Sequence, residues 1–98
     1  MNNTRTPQFY MANLGSEVVG MYSALAKNDL DKCRACHQRA KKIITLWREL
    51  ETRESARAEM GKLEELVDDL ISDAPKYKVS KSDIESYFMP FALRLMSV

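Results

Sequence analysis

The chain contains few of the residues that interrupt helices: only three glycines and three prolines occur in its 98 residues. A turn-rich β-sandwich or a loop-dominated fold needs more of both, because glycine and proline supply the tight turns between short strands. Apolar residues make up 45% of the chain and charged residues 30%, a balance typical of a soluble globular protein. The composition therefore predicts a single helical domain, 1–98.

Long apolar runs and an excess of one charge are also missing. No stretch approaches the roughly 18 apolar residues that a membrane-spanning helix needs, and Met1 to Thr6 are not followed by the apolar run of a signal peptide. Fifteen Lys and Arg against fourteen Asp and Glu leave a net charge of +1, which argues against nucleic-acid binding by bulk charge. We expect a cytoplasmic protein with reduced thiols and with neither membrane nor nucleic acid as a partner.

Catalytic and metal-binding patterns are scarce. The single histidine, His37, leaves no spare partner for a Ser/His/Asp triad, and the chain has no glycine-rich phosphate loop. Four carboxylates, Glu64, Glu65, Asp68 and Asp69, fall at helical spacing and are open to interpretation as a cation site. Because they flank an apolar stripe, we expect a solvated acidic face instead. These features predict no enzymatic activity, no metal site and no cofactor.

Apolar residues recur at alternating spacings of three and four, the pattern of amphipathic helices. Thr6 is the expected N-cap of the first helix, and Pro7 its first helical residue. The pattern predicts an all-α, up-and-down bundle of four helices at about 7–27, 30–51, 55–73 and 82–97. The predicted core positions are Met11, Leu14, Val18, Met21 and Leu25; Cys33, Cys36, Ala40, Ile43, Trp47 and Leu50; Ala56, Met60, Leu63, Val67 and Leu70; and Ile84, Tyr87, Phe88, Phe91 and Leu95.

The boundary between the second and third helices is marked by a change of phase. Six residues separate Leu50 from Ala56, which corresponds to about 240° of helix rotation. A continuous helix would turn its apolar face away from the core, so we predict a chain reversal near Thr52 to Ser55.

Local signals within the other helices are less decisive. Ser82 to Glu85 matches a capping box at the start of the fourth helix, and Pro90 predicts a kink within it. Gly15 and Gly20 lie inside the first helix, where they either permit the close approach of a neighbouring helix or are simply tolerated.

Charge is divided between the second and third helices. Leu30 to Leu50 carries six cations and two anions, whereas Glu51 to Asp73 carries three cations and eight anions. Antiparallel neighbours of opposite sign complement one another along their shared seam, which is the interpretation that we favour. The alternative is a basic face on the second helix that binds an acidic partner or phosphates.

One motif could carry chemistry: Cys33-Arg34-Ala35-Cys36-His37. This CxxCH resembles the haem attachment site of c-type cytochromes, which implies thioether bonds at Cys33 and Cys36 and an axial iron ligand at His37. The same cysteines open the apolar stripe of the second helix, and small thiols are often buried as modest hydrophobes. We favour core packing, because only this interpretation accounts for the rest of the stripe; a c-type-haem-like or metal site is the alternative.

The most concentrated apolar segment is Tyr87 to Phe91. It either closes the core or forms a surface for a partner, with Tyr87, Phe88 and Phe91 as the candidate contact residues. We expect a non-enzymatic protein-interaction or regulatory module that acts on a protein partner or on itself as a homodimer. The alternative function is cofactor or metal binding through Cys33, Cys36 and His37.

Overall fold

In a computed structural model, the described part of the chain forms four α-helices, with brief connections at 27–29 and 51–53 and a longer one at 71–80. The structure describes residues 6–72, 75–76 and 79–96, with side chains as far as Pro90. The helices are α1 (Pro7–Ala26), α2 (Leu30–Leu50), α3 (Glu54–Leu70) and α4 (Lys81–Met96). α1 packs against both α2 and α4, and α2 packs against α3, which confirms the all-α bundle of four helices. Among the described residues, no helix combines the length and the apolar character needed to cross a membrane.

α1 begins at its predicted cap, Thr6, and α2 is capped by Asp29. The Phe9 N–H donates to the Thr6 hydroxyl at 3.2 Å, and Pro7 occupies the start of α1. The Lys32 N–H donates to the Asp29 carboxylate at 3.1 Å and so caps α2. Between the helices, Asn28 has a φ of 56°, in the left-handed region that asparagine tolerates better than most residues. These bonds satisfy donors that a helix terminus otherwise leaves unpaired.

The capping box of α4 lies two residues earlier than predicted, at Ser80 and Asp83 instead of Ser82 and Glu85. The Asp83 N–H donates to the Ser80 hydroxyl at 3.1 Å, and the Ser80 N–H donates to the Asp83 carboxylate at 3.2 Å. The prediction of Ser82 as the cap was wrong because both frames carry a serine followed three residues later by an acid. The earlier frame also gains the helical bond from the Ile84 N–H to the Ser80 carbonyl, at 3.1 Å.

The reversal between α2 and α3 is confirmed, and Glu51 organises it. α2 ends at Leu50 and α3 begins at Glu54. The Glu51 carboxylate accepts from the Thr52 N–H, from the Arg53 N–H and guanidinium, and from the Trp47 indole, at 2.8 to 3.2 Å. The hydrogen bonds from Arg53 dominate and lower the pKa of Glu51 to about 2. The turn is therefore held by a carboxylate that must stay ionised.

The core follows the predicted stripes of the first three helices with two shifts in α2 and one in α1. In α4, Ile84 and Phe88 are buried but Tyr87, predicted as a core position, is exposed; the side chains of Phe91 and Leu95 lie outside the described part of the chain. All five predicted positions of α3 are buried, but Leu50 of α2 is 66% exposed because it is the last residue of its helix. Ile44 is fully buried, whereas Ile43 packs only at the edge of the core, since the inward arc steps by four residues after Ala40. In α1, Leu25 is exposed and Ala24 takes the inward position.

Two glycines of α1 lie directly against neighbouring helices. A Cβ placed on Gly15 would lie 2.5 Å from Cγ of Phe88 in α4, and one placed on Gly20 would lie 2.8 Å from Sγ of Cys36 in α2. Both distances are far below van der Waals contact. The absence of a side chain at Gly15 and Gly20 therefore allows α1 to lie this close to α4 and α2. The close-approach interpretation is confirmed.

We predict opposite effects for the same substitution at two helical glycines. Gly15→Ala forces a methyl group into the ring of Phe88, and overpacking of this kind costs about 1–3 kcal/mol of unfolding free energy. Gly61 in α3 has nothing within 4 Å of an added Cβ, so Gly61→Ala gains helix propensity and stabilises by up to about 1 kcal/mol. Urea denaturation of both variants measures the difference; equal stabilities would contradict the close contact.

We also predict that Glu51 contributes stability that acid removes. Its pKa is lowered from 4.5 to about 2 in the folded chain, so its contribution is complete above the unfolded value and declines as pH falls from 4.5 towards 2. Glu51→Gln should therefore be less stable than the wild type at pH 7, and the difference should shrink at pH 2. Thermal unfolding at both pH values measures this. Glu49→Gln, which alters an exposed residue of α2, is the control.

Candidate functional site

The bundle is open along the side where α3 and α4 face each other. Within the described residues these two helices do not form an extensive contact, and a groove of about 550 Å³ lies between them. Leu63 and Ile84 are buried at its floor. Its remaining apolar lining is Ala58, Leu66, Val79 and Tyr87, and its polar lining is Ser55, Glu59, Lys62 and Asp83. A mostly apolar groove of this size falls within the range of binding clefts, roughly 300–1,000 Å³.

Tyr87 spans the groove. Its ring belongs to the α4 wall and is 39% exposed, while its hydroxyl donates to the Glu59 carboxylate on α3. Partial burial, together with the nearby Glu59 charge, raises the pKa of Tyr87 above its usual value. The phenol therefore stays neutral and donates a hydrogen bond to Glu59. Tyr87 thus links two helices that otherwise leave a gap between them.

Phe88, the second residue of the predicted contact surface, does not line the groove. Phe88 is only 4% exposed and packs against Gly15, so it belongs to the core and its assignment to a partner surface is corrected. The side chain of Phe91 lies outside the described part of the chain. Pro90 does not end α4, which continues to Met96. Of the two predicted residues whose side chains are described, Tyr87 lines the groove.

Two side chains, Asp69 and Tyr22, form hydrogen bonds to the backbone of the α3–α4 connection. The Lys76 N–H donates to both oxygens of the Asp69 carboxylate, at 2.9 and 3.1 Å. The Tyr22 hydroxyl of α1 donates to the Val79 carbonyl at 2.6 Å. Burial is the main cause that raises the pKa of Tyr22, so this donor keeps its proton. The two anchors position Val79 at the end of the groove.

Asp69 departs from the predicted acidic face. It is 7% exposed, whereas the sequence pattern suggested solvated carboxylates throughout this segment. The residues that line the groove from α3, including Glu59, Lys62 and Leu66, were not predicted as site residues either. Glu59 and Lys62 have the polarity of residues on a solvent-facing side of a helix, and only the position of α4 makes these α3 residues part of a groove.

The opposite charges of α2 and α3 pair across their seam, as predicted. Lys41 Nζ lies 2.9 Å from carboxylate oxygens of both Glu64 and Asp68, and Arg48 lies 3.0 Å from Glu64. Nε2 of His37 lies 2.9 Å from Asp68. Hydrogen bonds from Lys41 and Arg48 lower the pKa of Glu64. These cations act within the chain, which weakens the alternative of a basic face for an acidic partner.

The CxxCH motif lies at the core, where α2 faces α1. Cys33 and Cys36 are 1% and 3% exposed, with free thiols. Sγ of Cys36 accepts a hydrogen bond from Arg39 at 3.4 Å and faces Gly20, so α1 occupies the space beside it. His37 points instead to the α3 seam. The sulfurs therefore do not fit a haem without separation of α1 from α2. Among the described residues, no group of three or more His, Cys, Asp and Glu side chains is arranged to hold a metal ion.

We predict that both thiols are protected in the folded protein. Burial, aided by the adjacent Cys36, raises the pKa of Cys33, and a buried, protonated thiol is a poor nucleophile. Reaction with dithionitrobenzoate should be slow in native buffer and rapid in denaturant. Rapid modification of native protein would contradict the burial. Co-expression with a haem-ligation system tests the alternative: covalent haem would add mass and visible absorbance, whereas core packing predicts neither.

Neither a protein-family model nor a curated protein sequence nor a solved structure matches the chain.

Proposed function

We propose that the protein is a non-enzymatic helical interaction module that acts as a cytoplasmic homodimer through the groove between α3 and α4. The observation that carries the proposal is the apolar groove itself. Leu66 and Val79 are partly exposed above the buried side chains of Leu63 and Ile84, in a groove that is open to solvent within the described part of the chain. An open apolar groove of this kind is typical of sites where another helix docks.

Tyr87 is the expected anchor of the contact. Aromatic residues contribute much of the binding energy at protein interfaces, because they bury a large area with few rotatable bonds. Tyr87 presents its ring on the groove wall, and the bond to Glu59 fixes the direction of its side chain. A contact residue that is already ordered loses less entropy on binding.

The charge distribution supports a protein partner rather than a nucleic acid. The cations Arg39, Lys41 and Arg48 already pair with acidic residues of the chain. The groove lining carries two carboxylates, Glu59 and Asp83, against one cation, Lys62. Phosphate binding favours a surface rich in unpaired Lys and Arg. Two free thiols fit the reducing cytoplasm.

We predict that the purified protein has the mass of a dimer by multi-angle light scattering, and that Tyr87→Ala weakens the dimer. Loss of a central aromatic contact should raise the dissociation constant about tenfold, or about 1–2 kcal/mol. Tyr87→Phe is the matched control, since it keeps the ring and removes only the hydroxyl that bonds Glu59.

Two outcomes would contradict this function. One is a wild-type protein that stays monomeric at the highest attainable concentration. The other is a Tyr87→Ala variant that dimerises as tightly as the wild type. Thermal unfolding of both variants shows whether a loss of dimer merely follows a loss of folded protein.

A further inference from the structure

We propose that the occupant of the groove is α3 of a second copy, which lies antiparallel to α3 of the first across a twofold axis. The inference rests on the proposed homodimer and adds to it the contact surface, the register and the ion pairs. Its starting point is the set of residues that α3 contributes to the groove lining: Ser55, Ala58, Glu59, Lys62, Leu63 and Leu66.

The charges in this set are complementary to a reversed copy of themselves. Glu59 and Lys62 are three residues apart, about 4.5 Å along the helix axis. When two such helices run antiparallel around a twofold axis between these positions, Glu59 faces the partner's Lys62 and Lys62 faces the partner's Glu59. A twofold contact repeats every pairing, so a single pair of residues supplies two ion pairs.

Both side chains have capacity for this pairing. Lys62 is exposed and forms no ion pair within the part of the chain that the structure describes. Glu59 uses Oε2 to accept from Tyr87, and no hydrogen bond from a described residue reaches its Oε1. Electrostatic complementarity contributes specificity more than affinity, and these pairs are expected to fix the register of the two helices.

The sizes of the apolar residues fit the same register. The alignment that brings Glu59 to the partner's Lys62 also brings Leu66 to the partner's Ser55. It likewise brings Leu63 to the partner's Ala58. Each large side chain thus meets a small one, the arrangement that lets facing helices interdigitate. All six α3 residues of the groove pair among themselves in this one register.

An alternative contact, in which exposed apolar residues of α2 enter the groove, would not by itself form a closed dimer. Leu46 and Leu50 on α2 are 45% and 66% exposed. If they inserted into the groove of a second copy, the contact would join two different surfaces, and such contacts continue into open chains unless the rotation closes a ring. The α3–α3 contact uses the same surface on both copies and stops at two.

The test is a charge reversal followed by its rescue. Glu59→Lys and Lys62→Glu each convert two attractive pairs into two repulsive ones, so each should raise the dimer dissociation constant about tenfold in low salt. The double variant Glu59→Lys/Lys62→Glu restores opposite charges across the axis and should return to within about threefold of the wild type. An equimolar mixture of the two single variants should form heterodimers. Sedimentation velocity measures all four samples.

Matched controls change the same charges elsewhere. Glu49→Lys and Lys42→Glu alter exposed residues of α2, away from the groove, and should leave the dimer unchanged. A further variant, Leu66→Glu, places a charge in the apolar part of the contact and should abolish the dimer at concentrations where Glu49→Lys retains it. Circular dichroism of each variant verifies that the helices remain folded.

The outcomes separate the inference from the function beneath it. A wild-type monomer overturns both. If the dimer persists in both single charge reversals and in Leu66→Glu, the proposed homodimer stands but the α3–α3 contact is overturned. Single variants that weaken the dimer without rescue in the double variant overturn the register. The proposal is supported when Leu66→Glu disrupts the dimer and when the double variant Glu59→Lys/Lys62→Glu restores the dimer that each single charge reversal weakens.

Discussion

The contact between Gly15 and Phe88 determines the shape of this bundle. Because Gly15 has no side chain, the ring of Phe88 lies against the backbone of α1. Gly20 allows the same closeness to Cys36 on the other neighbour. α1 therefore packs closely against both α2 and α4. α3 is held by α2 alone among the extensive contacts, so the remaining gap opens between α3 and α4.

The charged seam and the aromatic link act on this frame in different ways. Lys41 and Arg48 fix the distance between α2 and α3 through Glu64, with short ion pairs along one flank. Tyr87 reaches from α4 to Glu59 without filling the space between the helices. The groove thus lies between two helices that are each packed against another helix, α3 against α2 and α4 against α1.

The sequence patterns predicted the helices well and the neighbours of each helix less well. The α3 stripe from Ala56 to Leu70 was correct at every position, because amphipathic spacing reports directly which face is buried. The cap of α4 was displaced by two residues, because Ser80 and Ser82 offer equivalent local chemistry. Spacing on one helix does not report the position of another. The polar lining of the groove, such as Glu59 and Lys62, therefore had no signal in the sequence.

The CxxCH motif likewise does not reveal which helix lies beside it. Its five residues specify a covalent chemistry in one family of proteins, but spacing alone gives an equally good start to an apolar stripe. The distinction lies in what faces the sulfurs, and here α1 lies beside Cys36. Asp69 was unpredictable for a related reason: its burial depends on the path of a connection that follows it in the chain.

The anchors of that connection constrain its length more than its composition. Asp69 binds the N–H of residue 76 and Tyr22 binds the carbonyl of residue 79, so both recognise groups that are present at nearly every position of a polypeptide. A substitution of Lys76 by most other residues leaves its anchor intact, whereas an inserted or deleted residue between the two shifts one anchor relative to the other. The segment can therefore vary freely in surface chemistry while it continues to set where α4 begins.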